Sequence, residues 1–527
     1  MSQTGSESLL FVRESSGLVR ALGPTGALLF AWIGGGMTPT FWSLPPMVPL
    51  MTQIASLPLM FALILLIVIP EAISISLLQT SMPRSGGNYV VVARALGPFW
   101  GTLEGYRAFL SNPLSNALRC FFGAQAIGPV FILYGKLTGN PGSVSFGAQI
   151  AASFALTVAV AAFFIFLSFI IDVFGPKWVG RIYILFGIPL LVVLLLMWVT
   201  YASVPQTSIK AVWDSTWGAG AYDEVVKLAT SSGYATPPMD WTKYAVGLIV
   251  PIGLVADYNT IPVAGEISRP TKWIPIACLS AAFVITAFYG LTALGVEHTY
   301  GRFADMYTFI QMHGLGSKLA ISPNVPANWS FYAAIPATRL SPIISMIILL
   351  GPTLSVIATL PNAALYSSRS MFALAFDRFL PTLFTKISRW KSPFYACLVY
   401  LVLSLMWLVL FLGNPWVAAV SLLLTYVFVR LNLSLSGISL PWTKPSIHDR
   451  GLAWRIGGFP VMAIAGALAS GFFAFAFMAS FNPANLTPLY VFLLIYGIGT
   501  AGYMIAGYVN QRRGIDINRI FVELPPE

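Results

Sequence analysis

Long uncharged stretches alternate along the chain with short segments that hold nearly all of its charges. Residues 21–70 carry no charged side chain, and further uncharged runs cover residues 147–171, 182–204, 273–296 and 340–368. Because about twenty apolar residues in a helix span the hydrocarbon of a bilayer, each run is long enough for one or two crossings. The runs are continuously apolar, which favours helices over barrel strands, where apolar and polar residues alternate.

Two more uncharged runs, residues 392–429 and 456–511, each contain a Pro- and Asn-rich turn near their middle and therefore predict a pair of helices each. Spans near residues 99–134 and 241–266 are apolar but carry charges. With two helices in residues 21–70, the sequence predicts an all-α integral membrane protein with twelve transmembrane helices.

Composition and charge agree with this prediction. Charged residues make up 9% of the chain and hydrophobic residues 57%, whereas about a quarter of the residues of a soluble domain are charged. The net charge of +11 lies in short clusters between spans, so we expect contact with membrane lipid and no nucleic-acid partner. The positive-inside rule places both termini in the cytoplasm, and the plasma membrane is the expected location.

The predicted topology contains two units of five spans, followed by two further spans. It divides the chain into a cytoplasmic N-terminal segment (1–20), a first five-helix repeat (21–204), an extracellular loop (205–240), a second five-helix repeat (241–440) with an extracellular loop (298–338), peripheral helices 11 and 12 (441–511) and a cytoplasmic tail (512–527). Trp213, Trp217 and Trp241 are predicted to be interfacial anchors.

The first span contains a glycine triplet, Gly34, Gly35 and Gly36, followed by Met37 and, two positions later, a proline. This pattern weakens helical hydrogen bonding near the middle of the membrane. One interpretation is a kink or a close helix crossing. The other is a discontinuous helix whose freed amides face an anionic ligand group.

The sixth span has a matching interruption. It combines Pro251, Gly253 and the carboxylate of Asp257 with the polar run that begins at Tyr258. Interrupted spans in corresponding positions of two repeats are typical of a transporter site, so the paired breaks favour transport. A carboxylate beside a broken helix is costly unless it meets a cation or titrates, which favours a functional role for Asp257.

The third span presents one polar face inside the membrane. Its members follow helical spacing and are Ser111, Asn112, Ser115, Asn116 and Arg119. Arg119 has two interpretations. The first is structural: a buried ion pair, or snorkelling toward the outer interface. The second is functional: a gate, or a contact to a substrate carboxylate. Asp257 is the partner of Arg119 expected from depth in the membrane.

Other charges within spans predict ion pairs. Glu104 and Arg107 are three residues apart on one helix face and predict a local, self-neutralising pair. Arg369, Asp377 and Arg378, at the inner end of the eighth span, predict a gate-side or structural ion network.

Four motifs resemble those of the amino acid, polyamine and organocation (APC) superfamily. Residues 83–98, which include Pro-Arg-Ser-Gly-Gly-Asn-Tyr-Val, resemble the signature after its second helix. Residues 266–275 are similar to its Glu-x-x-Asn-Pro pattern, with Arg269 in place of Asn, and residues 368–393 resemble the pattern between its eighth and ninth helices. The glycine triplet matches Gly-Ser-Gly, with Gly35 in place of Ser.

The resemblance implies a five-plus-five inverted repeat with discontinuous helices 1 and 6 plus two peripheral helices, moving an amino acid or related amine by alternating access. Amides at the glycine triplet would then receive a substrate carboxylate, and carbonyls near Val255, Ala256 and Tyr258 its ammonium. The residues expected to bind substrate are Gly34, Gly35, Gly36, Met37, Ser111, Asn112, Ser115, Asn116, Val255, Ala256, Asp257 and Tyr258.

The coupling ion has three alternatives. Ser355 and Thr359 could help to bind Na⁺ beside the first helix, Asp257 could carry H⁺, or the chain could exchange solutes without an ion. No cofactor or metal site is expected, because no cluster of Cys, His or paired carboxylates is present to supply acid-base or metal chemistry. A membrane-embedded enzyme is therefore disfavoured, while a non-transporting nutrient receptor on the same fold stays an alternative, and the sequence leaves the oligomeric state open.

Overall fold

The computed structural model describes residues 22–34, 36–37, 40–255, 258–410, 415–481, 486–515 and 521. The turns predicted near residues 413 and 482 lie outside these ranges. Within them the chain is almost entirely helical, and the strands described are one short antiparallel hairpin. In this hairpin β1 (Arg455–Ile456) pairs with β2 (Phe459–Pro460), so that Arg455 lies opposite Pro460.

Nine helices of the described ranges are long and apolar enough to cross a membrane. They cover Leu57–Ser81, Pro98–Thr138, Phe154–Phe174, Lys177–Ser203, Pro270–Tyr300, Pro342–Phe376, Leu422–Thr443, Val461–Ala479 and Thr487–Arg512. The first and ninth predicted spans are shorter apolar helices, Pro24–Ile33 and Phe394–Leu410. The all-α membrane class is thereby confirmed, and the twelve-helix repeat stays a prediction.

Several of the long spans are divided by short interruptions, so the helical segments outnumber the spans. In chain order they are α1 (Pro24–Ile33), α2 (Thr40–Ser43), α3 (Val48–Thr52), α4 (Leu57–Ser81), α5 (Gly87–Ala95), α6 (Pro98–Gln125), α7 (Ile127–Thr138), α8 (Pro141–Ala152), α9 (Phe154–Phe174), α10 (Pro176–Ile182), α11 (Ile188–Ser203), α12 (Gln206–Trp217), α13 (Ala221–Ser231), α14 (Trp241–Gly247), α15 (Ile249–Val255), α16 (Pro270–Tyr300), α17 (Phe303–Met312), α18 (Trp329–Ala337), α19 (Pro342–Leu349), α20 (Gly351–Phe376), α21 (Phe394–Leu410), α22 (Pro415–Thr443), α23 (Pro445–His448), α24 (Val461–Ala479) and α25 (Thr487–Arg512). Tyr183–Gly187 is a π-helical turn, and four 3₁₀ turns cover Pro45–Met47, Ile261–Glu266, Leu315–Lys318 and Thr382–Thr385.

Proline, glycine and a capping serine set many of these boundaries. Gly97 adopts φ 104°, a conformation that suits glycine, and Pro98 then opens α6 with a fixed φ and no amide to satisfy. The Ser153 side chain accepts a hydrogen bond from the Leu156 amide (3.3 Å) and caps α9. Gly175, with φ 79°, ends the same helix.

The two long loops, residues 205–240 and 298–338, form a folded layer of short helices. Trp213 is fully buried there and packs edge-on against Phe303, with ring centroids 4.8 Å apart. Trp217 is buried as well, so the prediction that these two tryptophans are interfacial anchors is wrong: the loops pack against each other and enclose the rings. Trp241 is exposed.

The polar residues of interest lie in the middle of the helix bundle. There α4 packs along α16, α6 along α20, and α22 along α24 and α25. The buried polar side chains of α4, α6, α20 and α22 therefore meet side chains of other helices instead of lipid.

Candidate functional site

The first span stops being helical at the glycine triplet. Its helix α1 ends at Ile33, and the next helical residue described is Thr40 of α2. The amide of Gly34 still donates to the carbonyl of Phe30 (3.0 Å), so in this conformation it closes the last turn of α1. Gly35 lies outside the described residues.

The backbone carbonyls at this interruption each accept a hydrogen bond from a different helix. Gly34 O, Gly36 O and Met37 O accept from Arg119 Nη1 on α6 (3.5 Å), Tyr289 Oη on α16 (2.7 Å) and Ser355 Oγ on α20, respectively. A buried carbonyl without a partner costs about 1–3 kcal/mol, so these three side chains stabilise the non-helical backbone. The interruption is therefore supported by the packing of the bundle.

The two described glycines of the triplet have no room for a side chain. A Cβ atom on Gly34 would lie 2.7 Å from Asn362 Nδ2, and one on Gly36 would lie 2.6 Å from the nearest carbon of Ile285. The other groups facing Gly34 include the Tyr183 hydroxyl, 3.0 Å from the same point. Glycine here permits close approach of the backbone to neighbouring helices.

The polar face of the third span points into the bundle, and all five of its members are buried. Ser111 Oγ accepts from Arg107 Nη1 (3.0 Å), and Ser115 Oγ accepts from the Tyr426 hydroxyl on α22 (3.3 Å). Arg119 Nη1 contacts the carbonyl of Thr359 (3.3 Å) in addition to Gly34. Among the described residues no carboxylate forms an ion pair with Arg119.

The sixth span contains two short helices, of which α14 ends at Gly247 and α15 ends at Val255. Residues 258–260 are non-helical and lead into a 3₁₀ turn. Thr260 Oγ1 donates to Gln79 Oε1 on α4 (2.7 Å). Val255 and Tyr258 are fully buried, whereas Ala256 and Asp257 lie outside the described residues, so whether Asp257 approaches Arg119 stays a prediction.

Beside this second interruption lies a buried carboxylate that the sequence pattern did not single out, Glu71. Glu71 lies on α4 with 1% of its surface exposed; it accepts a hydrogen bond from the Tyr258 hydroxyl and pairs with Arg430 Nη1 on α22 (3.2 Å). The Arg430 guanidinium also stacks over the Tyr258 ring, 4.9 Å from its centroid. The signal was available: residues 72–83 are uncharged too, so Glu71 interrupts one apolar span instead of ending it.

The two hydroxyls predicted as Na⁺ ligands are engaged in backbone hydrogen bonds. Ser355 Oγ donates to Met37 O, and Thr359 Oγ1 donates to Ser355 O (2.8 Å) within the same helix. Membrane-embedded Ser and Thr commonly bond in this way. Sodium binding at these residues stays a prediction, because each hydroxyl oxygen keeps lone pairs for a cation while its hydrogen is donated.

The predicted ion pairs within spans are present, with one change of partners. Glu104 and Arg107 pair at 2.9 Å, as predicted. Arg369 and Asp377, predicted to share one network, belong to two. The partners of Arg369 are Asp172 and Glu266 (3.2 Å each), and those of Asp377 are Arg94 (3.1 Å) and the Tyr89 hydroxyl (2.7 Å).

At the predicted extracellular end, a small pocket lies between the end of α16, the α17–α18 layer and the segment before α4. Glu297, Arg302, Asp305, Trp329 and Tyr332 are among its lining residues. Arg302 Nη1 joins the layers, because it donates to the carbonyl that precedes α4 at residue 55 (2.9 Å) and pairs with Asp305 (3.2 Å). Burial raises the pKa of Asp305 to about 6, although Arg302 acts in the opposite direction.

This combination, a bundle of apolar helices with two interrupted spans and buried charges at the interruptions, defines a membrane transporter class. A family model described as amino acid permease matches residues 28–503. The chain belongs to that family, within the APC superfamily, and its family is one of transporters, not enzymes.

The chain is similar to plant proteins described as polyamine transporters. The polyamine transporter RMV1 of Arabidopsis thaliana is 25% identical over 395 residues, which cover 72% of this chain and 66% of that protein. A probable polyamine transporter of the same plant is 25% identical over 247 residues, 45% of this chain and 42% of that protein. The polyamine transporter PUT1 of Oryza sativa subsp. japonica is 46% identical over a stretch of 50 residues, 10% of this chain and 9% of that protein. The chain thus spans slightly under two thirds of the length of the first of these relatives.

Proposed function

We propose that the protein is a secondary active transporter that moves an amino acid or related amine across the plasma membrane by alternating access. Its twelve spans would form the five-plus-five inverted repeat with interrupted helices 1 and 6 and two peripheral helices. Both termini would be cytoplasmic, as the distribution of Lys and Arg predicts. The family and the relatives named above support transport of a small amine.

The interrupted helices carry this proposal. In both spans the backbone leaves the helix part-way along the predicted crossing, at Gly34 and after Val255, and side chains from other helices bond the segments that follow. Irregular backbone is tolerated at this depth only where protein or a water-filled cavity satisfies it, and in carriers it contacts the solute. A purely structural bundle gains nothing from this cost, whereas a receptor for the same solute would share the site, and only uptake separates that receptor from a carrier.

The Glu71 cluster supports the amine part of the proposal. Glu71 is a buried carboxylate beside the second interruption, and its partners include a hydroxyl from Tyr258 and a guanidinium from Arg430. An ammonium group could take the place of either partner and keep the carboxylate neutralised. The exchange would be favourable only for a cation, because removing one partner of a buried ion pair costs about 3–5 kcal/mol.

The direct test is uptake into proteoliposomes. A thermal-shift screen of the purified chain with the twenty amino acids and common polyamines would first identify a ligand, since binding raises apparent stability by mass action. The labelled ligand should then accumulate in proteoliposomes above the level in protein-free vesicles. Separate pH and Na⁺ gradients, each with its ionophore as control, would identify the coupling ion or show exchange without one. A ligand that stabilises the protein and is never taken up would favour the nutrient-receptor alternative and contradict the proposal.

A pair of Tyr→Phe variants makes the test specific to the site. Tyr258→Phe removes the hydroxyl that bonds Glu71, and we expect a loss of most uptake. Tyr300→Phe removes an equally buried hydroxyl, which donates to the carbonyl of Tyr332 (2.8 Å) at the predicted extracellular layer, and should leave uptake close to wild type. Equal effects of the two substitutions would count against a role of the Glu71 cluster.

A further inference from the structure

Two tryptophans and two arginines form an exposed row across two loops of the predicted cytoplasmic side. The Arg181 guanidinium lies over the Trp178 ring, 5.0 Å from its centroid, and the Arg389 guanidinium lies over the Trp390 ring at 4.3 Å. Phe174 joins the two halves, because its ring centroid is 5.7 Å from that of Trp178 and 5.1 Å from that of Trp390. These five side chains, which we call the cation–aromatic row, form one continuous series of contacts from one arginine to the other.

The two loops that carry the row are held together by their backbones. Gly175 turns the chain with φ 79° at the end of α9, and a Cβ atom on it would lie 2.6 Å from the carbonyl oxygen of Trp390. Beside this contact Ser392 Oγ donates to the carbonyl of Asp172 (2.6 Å). The row is therefore presented on a packed platform built from both loops.

The row lies at the depth where the membrane spans end. Helix α9 ends at Phe174, the next span begins at Lys177, and α21 begins at Phe394. Trp178 and Trp390 are 45% and 37% exposed, and exposed tryptophans at the ends of spans are typical of the membrane–water interface. Farther into these spans the exposed side chains are apolar, among them Phe166, Leu185 and Val402.

The positive charge of the row has no carboxylate beside it in the described part of the chain. Residues 173–213 and 378–448, which contain both loops, include no Asp or Glu. Lys177 and Lys391 are exposed neighbours of the two tryptophans, and neither they nor the two arginines form an ion pair with any described carboxylate. A guanidinium that stacks on a ring keeps N–H groups at its edge, and these match the oxygens of a phosphate.

We propose that the cation–aromatic row is a binding surface for anionic phospholipids, whose phosphate oxygens accept hydrogen bonds from Arg181 and Arg389. The acyl chains would lie along the exposed apolar side chains of the same spans. A soluble anion would gain little from the tryptophans, and a zwitterionic lipid carries no net charge to balance the arginines. In the predicted topology the row faces the cytoplasmic leaflet, which is the one that contains anionic lipids.

The test measures lipid binding to the purified full chain. Native mass spectrometry of the protein released from detergent micelles would follow titrations with dioleoylphosphatidylglycerol and with dioleoylphosphatidylcholine, and we expect the anionic lipid to bind at least tenfold more tightly. Each Lys or Arg near an anionic lipid contributes a factor of about five in affinity. The double variant Arg181→Gln/Arg389→Gln should therefore weaken binding of phosphatidylglycerol by about tenfold or more and leave that of phosphatidylcholine unchanged.

A matched control removes the same amount of charge elsewhere. Lys136→Gln/Lys227→Gln neutralises two exposed cations of α7 and α13 on the predicted extracellular side, and it should change the affinity for phosphatidylglycerol less than twofold. Both arginines of the row are exposed, so their variants should melt at the same temperature as the wild type in phosphatidylcholine. If the double variant melts early, each single variant serves the same test, with an expected loss of about fivefold.

Three results would overturn the proposal. The first is equal binding of the two lipids by the wild type, and the second is an equal loss of affinity in the double variant and the control. The third is displacement of the lipid by an equal concentration of glycerophosphoglycerol, its water-soluble headgroup, which would make the row a site for a soluble phosphate. None of these measurements uses uptake, so the outcome is independent of the proposed transport function.

Discussion

Removal of the Arg369 charge should strongly destabilise the protein. Its guanidinium lies between Asp172 and Glu266 at 3.2 Å from each, and none of the three side chains is exposed. Arg369→Gln would leave two buried carboxylates without their cation. Breaking a buried ion pair by removing one partner costs about 3–5 kcal/mol, and because Arg369 serves two carboxylates we expect a loss near the upper end of that range.

Equilibrium unfolding in mixed micelles of dodecyl maltoside and SDS would measure the loss. Lys210→Gln is the matched control, because Lys210 and Asp223 form a shorter pair (2.7 Å) whose side chains are 53% and 63% exposed. Water screens such a pair, and we expect no measurable change in stability. A larger effect of the control than of Arg369→Gln would show that distance, not burial, decides the contribution of these pairs.

The two carboxylates allow a second test of the same reasoning. In the Arg369→Gln background, Glu266→Gln removes one of the facing charges and should recover part of the lost stability. In the wild-type background the same substitution leaves a one-to-one pair with Asp172 and should not stabilise. Additive losses in the double variant, or an Arg369→Gln protein as stable as wild type, would refute the assigned network.

Two other substitutions test packing and titration. Gly36→Ala would place a methyl group 2.6 Å from Ile285, and overpacking of this kind costs about 1–3 kcal/mol. We expect lower stability and lower uptake, both partly restored by Ile285→Ala. A double variant without any restoration would contradict the assigned clash. Asp305 has a pKa of about 6 against an ordinary value of 3.8, so the folded state binds its proton more tightly than the unfolded state does. We therefore expect the wild type, relative to Asp305→Asn, to lose roughly 2–3 kcal/mol of unfolding free energy as the pH rises from 4 to 7. Parallel unfolding series of the two proteins would measure this difference. A gain in stability over that interval would refute the assignment.

Features set by local sequence could be predicted. A run of apolar residues determines where a helix crosses the bilayer. Glycine and proline determine where the helix stops, as at Gly34 in the first span and after Val255 in the sixth. The Glu104–Arg107 pair could be predicted because residues three apart on a helix are neighbours whatever the tertiary fold.

Pairings between helices could not be predicted in the same way. Arg369 lies 197 residues from Asp172 and 103 from Glu266, and periodicity along one helix carries no information about which helices are adjacent. Glu71 was overlooked for a related reason. A single carboxylate beside a proline looks like the end of a span until the helix is seen to continue to Ser81.

Helix α20 is linked to the first span at two points: directly near the break, and through Glu266 at the start of the span. The second link is stronger, and this difference determines how the bundle can open. Near the break, Ser355 donates one neutral hydrogen bond to Met37 O, a contact worth about 1 kcal/mol. At the start of the span, the Leu22 amide donates to the carbonyl of Glu266 (2.9 Å), whose carboxylate pairs with Arg369 of α20. Dry separation of those charges would cost several kcal/mol, whereas hydration offsets most of that cost. In the proposed alternating-access cycle, opening toward the predicted cytoplasmic side should therefore proceed with water entering between Glu266 and Arg369, while the hydrogen bond at the break can exchange at any stage.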